Sequence, residues 1–119
     1  MFWKQKSPPV ELSQPAPWPF DQASNVAALT VRSVLEGDPV LFVSHDADDH
    51  GWQFLDGREP IIEEGRAVCM ADALDRDPTL RTIADLPPGW IASREGIGGA
   101  WDRRLNPRYA DSNADGEGA

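Results

Sequence analysis

The run Val40-Leu41-Phe42-Val43 constrains the fold more than any other feature of this chain. It is opened by Pro39 and closed by the polar stretch Ser44 to His50. A short continuous apolar run of this kind suits a central strand covered on both faces. Other segments repeat the theme. Residues 26–31 are apolar and partly β-branched and read as a first strand. In residues 52–55, Trp52 and Phe54 fall on one face and Gln53 and Leu55 on the other, because strand side chains alternate. Residues 66–70 and 90–94 read as further strands, and 100–103 as a last short one. Asp56-Gly57 supplies turn chemistry, with a surface loop over 58–65. Residues 33–36 form a helical turn ended by Gly37.

The main helical signal is confined to residues 71–86. Asp77-Pro78 has the form of an N-cap followed by proline at the first helical position. Leu80, Ile83 and Ala84 share a face at i, i+3, i+4. Asp72 is a candidate cap for a shorter turn before them, and Pro87-Pro88-Gly89 stops the helix. The expected fold is α+β: an antiparallel or mixed sheet of about five strands with one main helix packed on one face.

Within 119 residues there is room for one such domain. Residues 1–20 carry five prolines and read as an extended arm, with Trp18 or Phe20 docking on the domain. Residues 111–119 are small or acidic and read as a disordered tail. The folded unit is then 21–110. Cys69 is the one cysteine, so no intrachain disulfide forms, and its place in Ala67-Val68-Cys69-Met70 predicts a buried packing residue.

The net charge of −9 points away from nonspecific nucleic-acid binding, which depends on neutralising phosphates. It fits a basic partner reached by electrostatic steering. No apolar stretch approaches the roughly 18–20 residues that span a bilayer, and the first lysines are followed by no apolar signal region. A cytoplasmic protein that binds neither membrane nor nucleic acid is expected, with no cofactor.

Chemistry concentrates in residues 45–50, where three acids and both histidines of the chain fall together. His45, Asp46, Asp48 and His50 are candidate ligands for a transition metal, and a metal-binding module or metal-dependent hydrolase is the alternative function. The i, i+5 spacing of the histidines is not a helical ligand pair. Asp46-x-Asp48-x-x-Gly51 opens like a calcium loop, but Gly57 stands where the bidentate glutamate belongs. The competing account is a strand connection whose aspartates bond their own backbone. Ser44-His45-Asp46 has the residue types of a triad, yet on a continuing strand Ser44 and Asp46 share one face and His45 takes the other. The C-terminal Arg103, Arg104 and Arg108 interleave with Trp101 and Tyr109, and pairing with the acidic loop is the simplest account of them. Asp46, Asp48, Asp49, Trp101 and Arg103 are the candidate residues for a protein-recognition surface.

The stretch from Val40 to Leu55, with its Asp49-His50-Gly51-Trp52-Gln53-Phe54 element, and the later Gly89-Trp90-Ile91-Ala92-Ser93-Arg94 resemble a family of small bacterial domains of unknown function. That family is similar to immunity-type domains of polymorphic toxin systems. The resemblance spans roughly residues 26–102. It implies an α+β domain that binds and neutralises a protein partner, and it carries no catalytic residues. A non-enzymatic, protein-binding, immunity-like domain is the expected function.

Overall fold

The computed structural model describes residues 17–109. Six strands form one mixed sheet in the order β4-β1-β3-β2-β5-β6. They are β1 (Ala27–Val31), β2 (Phe42–His45), β3 (Trp52–Leu55), β4 (Gly65–Cys69), β5 (Trp90–Ser93) and β6 (Asp102–Leu105). Only β1 and β3 pair in parallel; the other neighbours are antiparallel. The α+β class is as expected, and β2 lies inside the sheet between β3 and β5, but the cover expected on both faces is uneven: Val43 is buried and Phe42 only half-buried.

The single main helix resolves into two pieces. Helix α2 (Met70–Arg76) is followed by a 3₁₀ segment, Pro78–Ile83. The break falls at Asp77, because Pro78 has no N–H to continue the α2 ladder and disfavours a helical conformation in the residue before it. Asp77 instead caps the 3₁₀ segment, its Oδ1 accepting from the Thr79 N–H at 3.0 Å. The α2 N-cap position is Cys69 with no side-chain cap, so Asp72 lies inside the first turn. A four-residue helix, α1 (Arg32–Leu35), follows β1, and a 3₁₀ turn, Ile62–Glu64, sits in the 58–65 loop.

Register fixes which side chains face the helices. Val43 is opposite Phe54 and Ala92, and His45 is opposite Trp52 and Trp90. The apolar members of this set pack with Met70, Leu74, Leu80, Ile83 and Leu86 into one core. Phe20 joins them, edge-on to Trp52 at 4.9 Å between ring centroids. The docked aromatic is therefore Phe20, and residues 17–20 pack on the domain rather than leaving it, while Trp18 keeps an exposed edge. Burying a side chain of this size contributes about 1.5–3 kcal/mol.

Cys69 corrects the sequence expectation. It is exposed. It closes the edge strand β4 opposite the exposed Ala27, on the sheet face that carries no helix. An apolar run in an edge strand buries one face at most, so Met70 turns inward and Cys69 outward.

Candidate functional site

The six-residue connection from β2 to β3 carries the acidic cluster. The turn is closed by the Asp46 N–H donating to the Gly51 carbonyl at 2.8 Å. Within it, Asp49 Oδ1 accepts from the Gly51 N–H at 2.8 Å, the Asx geometry that short acids favour. A Cβ at position 51 would stand 2.9 Å from that same oxygen, so a larger residue there would displace the Asp49 side chain. His50 adopts φ 60°, the only non-glycine positive φ among the described residues. Left-handed backbone is costly for an L-residue, so it persists where the surroundings hold it. The holder is Gln22, whose Nε2 donates to the His50 carbonyl at 3.0 Å and lies 3.3 Å from that of Asp49. On the other flank, the Ala47 N–H donates to the Tyr109 hydroxyl at 3.3 Å, and Arg108 lies 3.5 Å from Asp48. This is the pairing of a C-terminal arginine with the acidic loop that the sequence suggests. The turn is braced by chain from both ends of the domain, and Asp48, Asp49 and His50 remain exposed.

Asp46 is different. Its carboxylate turns to the helix-free face, accepting from Ser44 Oγ at 2.7 Å and Gln53 Nε2 at 3.0 Å. His45 points the opposite way, as strand alternation dictates, and is buried. Its Nδ1 lies 2.6 Å from the Leu86 carbonyl. Its ring stacks on Trp52 at 3.9 Å. Its Nε2 lies 2.9 Å from Asp21 Oδ2, close enough for charge pairing. The contact is off the line a hydrogen bond needs, and Nε2 is the one buried side-chain polar atom without a hydrogen-bond partner among the described residues. The separation is short enough for charge attraction whatever the alignment. Asp21 Oδ1 also accepts from Trp52 Nε1 at 2.9 Å, and His50 Nδ1 stands 4.0 Å from Oδ2.

The four candidate metal ligands are thus not brought together: His45 meets Asp21, Asp46 faces away, and Asp48 and His50 line the turn. Among the described residues no group of three or more His, Cys, Asp or Glu side chains is arranged to hold a metal ion. Sequence reasoning misses Asp21 because nothing local marks it; its role comes from a contact 24 residues away in sequence.

Trp101 and Arg103 lie apart from the turn. Trp90 and Leu105 are paired at the end of β5–β6 nearest the turn, whereas Ser93 and Asp102 are paired at the far end, three residues or about 10 Å away. Trp101 is half-buried there, its Nε1 donating to Thr82 Oγ1 at 2.8 Å. Arg103 donates to the Thr82 carbonyl and pairs with Asp85 at 2.8 Å. Both clamp the 3₁₀ segment to the sheet.

Beneath Trp101 lies a node that sequence reasoning does not find. Arg94 is buried and sits 4.3 Å under the indole centroid. Its Nε donates to the Val40 carbonyl (2.9 Å), Nη1 to Thr79 Oγ1 (2.9 Å) and Nη2 to Asp77 Oδ2 (2.7 Å). The cap at Asp77 is legible in the sequence; its ionic partner, 17 residues on, is not.

On the opposite flank Asp56 titrates below the ordinary carboxylate range. Burial works against its ionisation, but a hydrogen bond from Ser33, the Arg58 N–H and the Arg58 charge together outweigh it. The apolar cleft between α1, α2 and the sheet, lined by Val34, Val40, Phe54, Ala73, Leu80 and Ile97, has a volume of about 190 Å³. That is smaller than the roughly 300–1,000 Å³ of small-molecule sites. No helix among the described residues is long and apolar enough to cross a membrane. No family model, curated protein or solved structure matches this chain.

Proposed function

We propose that this is a non-enzymatic, protein-binding domain of immunity-like type, which presents the β2–β3 turn to a basic surface on its partner. The observation that carries this reading is the bracing of the turn. Exposed Asp48 and Asp49 are held in an internally capped loop, with His50 left-handed, by Gln22 on one side and Tyr109 on the other. A recognition loop fixed before encounter loses little conformational entropy on binding. Acids on such a loop, in a chain of net charge −9, accelerate approach of a basic partner.

The test separates charge from fold. Asp48→Lys combined with Asp49→Asn removes the negative charge, while the side-chain amide oxygen introduced by the second substitution keeps an acceptor for the Gly51 N–H. Partner captured from the source organism should associate about tenfold or more slowly with this variant at low salt, and the gap should close as salt rises. Unmoved association kinetics, with the fold intact by circular dichroism, would remove the turn from the interface.

A further inference from the structure

Each ring nitrogen of His45 faces an acceptor. Nδ1 is 2.6 Å from the Leu86 carbonyl and Nε2 is 2.9 Å from the Asp21 carboxylate. A neutral imidazole has one N–H and one lone pair. With the proton on Nδ1, the Nε2 lone pair confronts Oδ2; with it on Nε2, the Nδ1 lone pair confronts the carbonyl. The doubly protonated ring satisfies both sides, and its positive charge lies flat on the Trp52 indole, stacked at 3.9 Å and 16° between planes.

We propose that His45 and Asp21 form a proton-operated latch, which fastens residues 17–22 across the end of the sheet when His45 is doubly protonated and loosens them when it is not. The two sides of the ring are unequally anchored. Leu86 is buried in the core and its N–H donates to the Ile83 carbonyl. Asp21 belongs to a segment tied down by Phe20, by Arg81 donating to the Pro17 carbonyl, and by the Gln22 side chain. Trp52 Nε1 also holds the other Asp21 oxygen, but the Asp21 side chain is 41% exposed and can turn to solvent, so Asp21 is the side that yields. The titratable groups facing His45 are Asp21 from the N-terminal segment and His50 from the β2–β3 turn. From β3 and from the segment after Pro78–Ile83 it meets the Trp52 indole and the Leu86 carbonyl, neither of which titrates.

The sign follows from the pairing. The contact is attractive with the ring charged and is lost with the ring neutral, so fastening goes with protonation. Gln22 lies next to Asp21 and braces the acidic turn, so loosening the latch also frees that turn. This last consequence rests on the recognition reading above; the latch itself concerns the free chain.

Its test therefore uses the free, full-length chain. Long-range ¹H–¹⁵N NMR reads the protonation of the His45 ring, and amide exchange, corrected for its intrinsic pH dependence, reads the protection of residues 20–24. Between about pH 5 and 8, where histidine changes charge, both ring nitrogens should carry protons at the acid end. Protection should then fall about fivefold or more toward the alkaline end. Asp21→Asn should flatten that dependence, and His50→Gln should preserve it. A neutral ring with residues 20–24 equally protected throughout would overturn the latch. So would a pH dependence that survives Asp21→Asn, or one that vanishes in His50→Gln.

Discussion

Two buried basic side chains hold this domain together, and they are built to opposite specifications. Arg94 is permanently charged, and its donors reach Val40, Thr79 and Asp77. His45 is charged only when it binds a proton, and one of its nitrogens faces Asp21 without an aligned hydrogen bond. The first fastens the 3₁₀ segment Pro78–Ile83 to the chain just before β2 and just after β5, at the end far from the acidic turn. The second fastens the N-terminal segment at the end next to it. The contrast locates conditional structure beside the exposed acids and unconditional structure away from them. A guanidinium cannot deprotonate in this setting, so burial is safe wherever its partners are complete. An imidazole changes state in the physiological range, so a buried one ties local order to pH.

The largest expected effect comes from emptying the Arg94 node. Arg94→Met leaves Asp77 partly buried with no counter-charge and should cost about 3–5 kcal/mol in chemical denaturation. Arg94→Lys should recover only part of this, since an ammonium cannot span the three acceptors in the geometry of the fork. If lysine restores full stability, the node is a point charge and the comparison with His45 loses its basis.

Phe20→Ala comes next, at about 3 kcal/mol. It unseats the segment that carries Asp21 without touching Arg94. Amide exchange should therefore rise around Asp21 and in the acidic turn, while the amides of Pro78–Ile83 change only with global stability. Equal loosening at both ends would show that the two nodes open together.

The smallest effect belongs to Ser33→Ala. Removing the hydroxyl that donates to Asp56 at 2.7 Å should cost about 1 kcal/mol at neutral pH. The folded Asp56 carboxyl is held below its usual value, so this contribution is present above the unfolded-state titration and is lost as pH falls through the folded one. The wild type and the variant should converge in stability in acid. Stability curves for the two that stay parallel down to the acid transition would exclude Asp56 as the group concerned. The trend runs opposite to that expected of His45, so the two pH dependences can be separated in one titration.

Local chemistry is readable along the chain. Val40 to Val43 marks the central strand, although the strand itself starts at Phe42 and runs on through Ser44 and His45; Asp77-Pro78 marks a helix start, and Asp56-Gly57 marks a turn. The opposed directions of Ser44 and His45 follow from strand alternation alone. The failures share a cause. The apolar run around Cys69 predicts burial, but such a run does not reveal whether its strand is central or at an edge. The piece after Pro78 reads as the main helix, with a shorter turn before it, whereas the α-helix is Met70–Arg76 and Pro78–Ile83 is 3₁₀.

Sequence by itself determined the α+β class, the position of the acidic turn and the cap at Asp77, because each depends on residues within a few positions of one another. Tertiary structure alone decided which acid meets which base. Asp21 reaches His45, Asp77 reaches Arg94 and Tyr109 reaches Ala47 because strand order and register bring distant segments together. Pairing energy falls steeply with separation, and separation is a property of the fold.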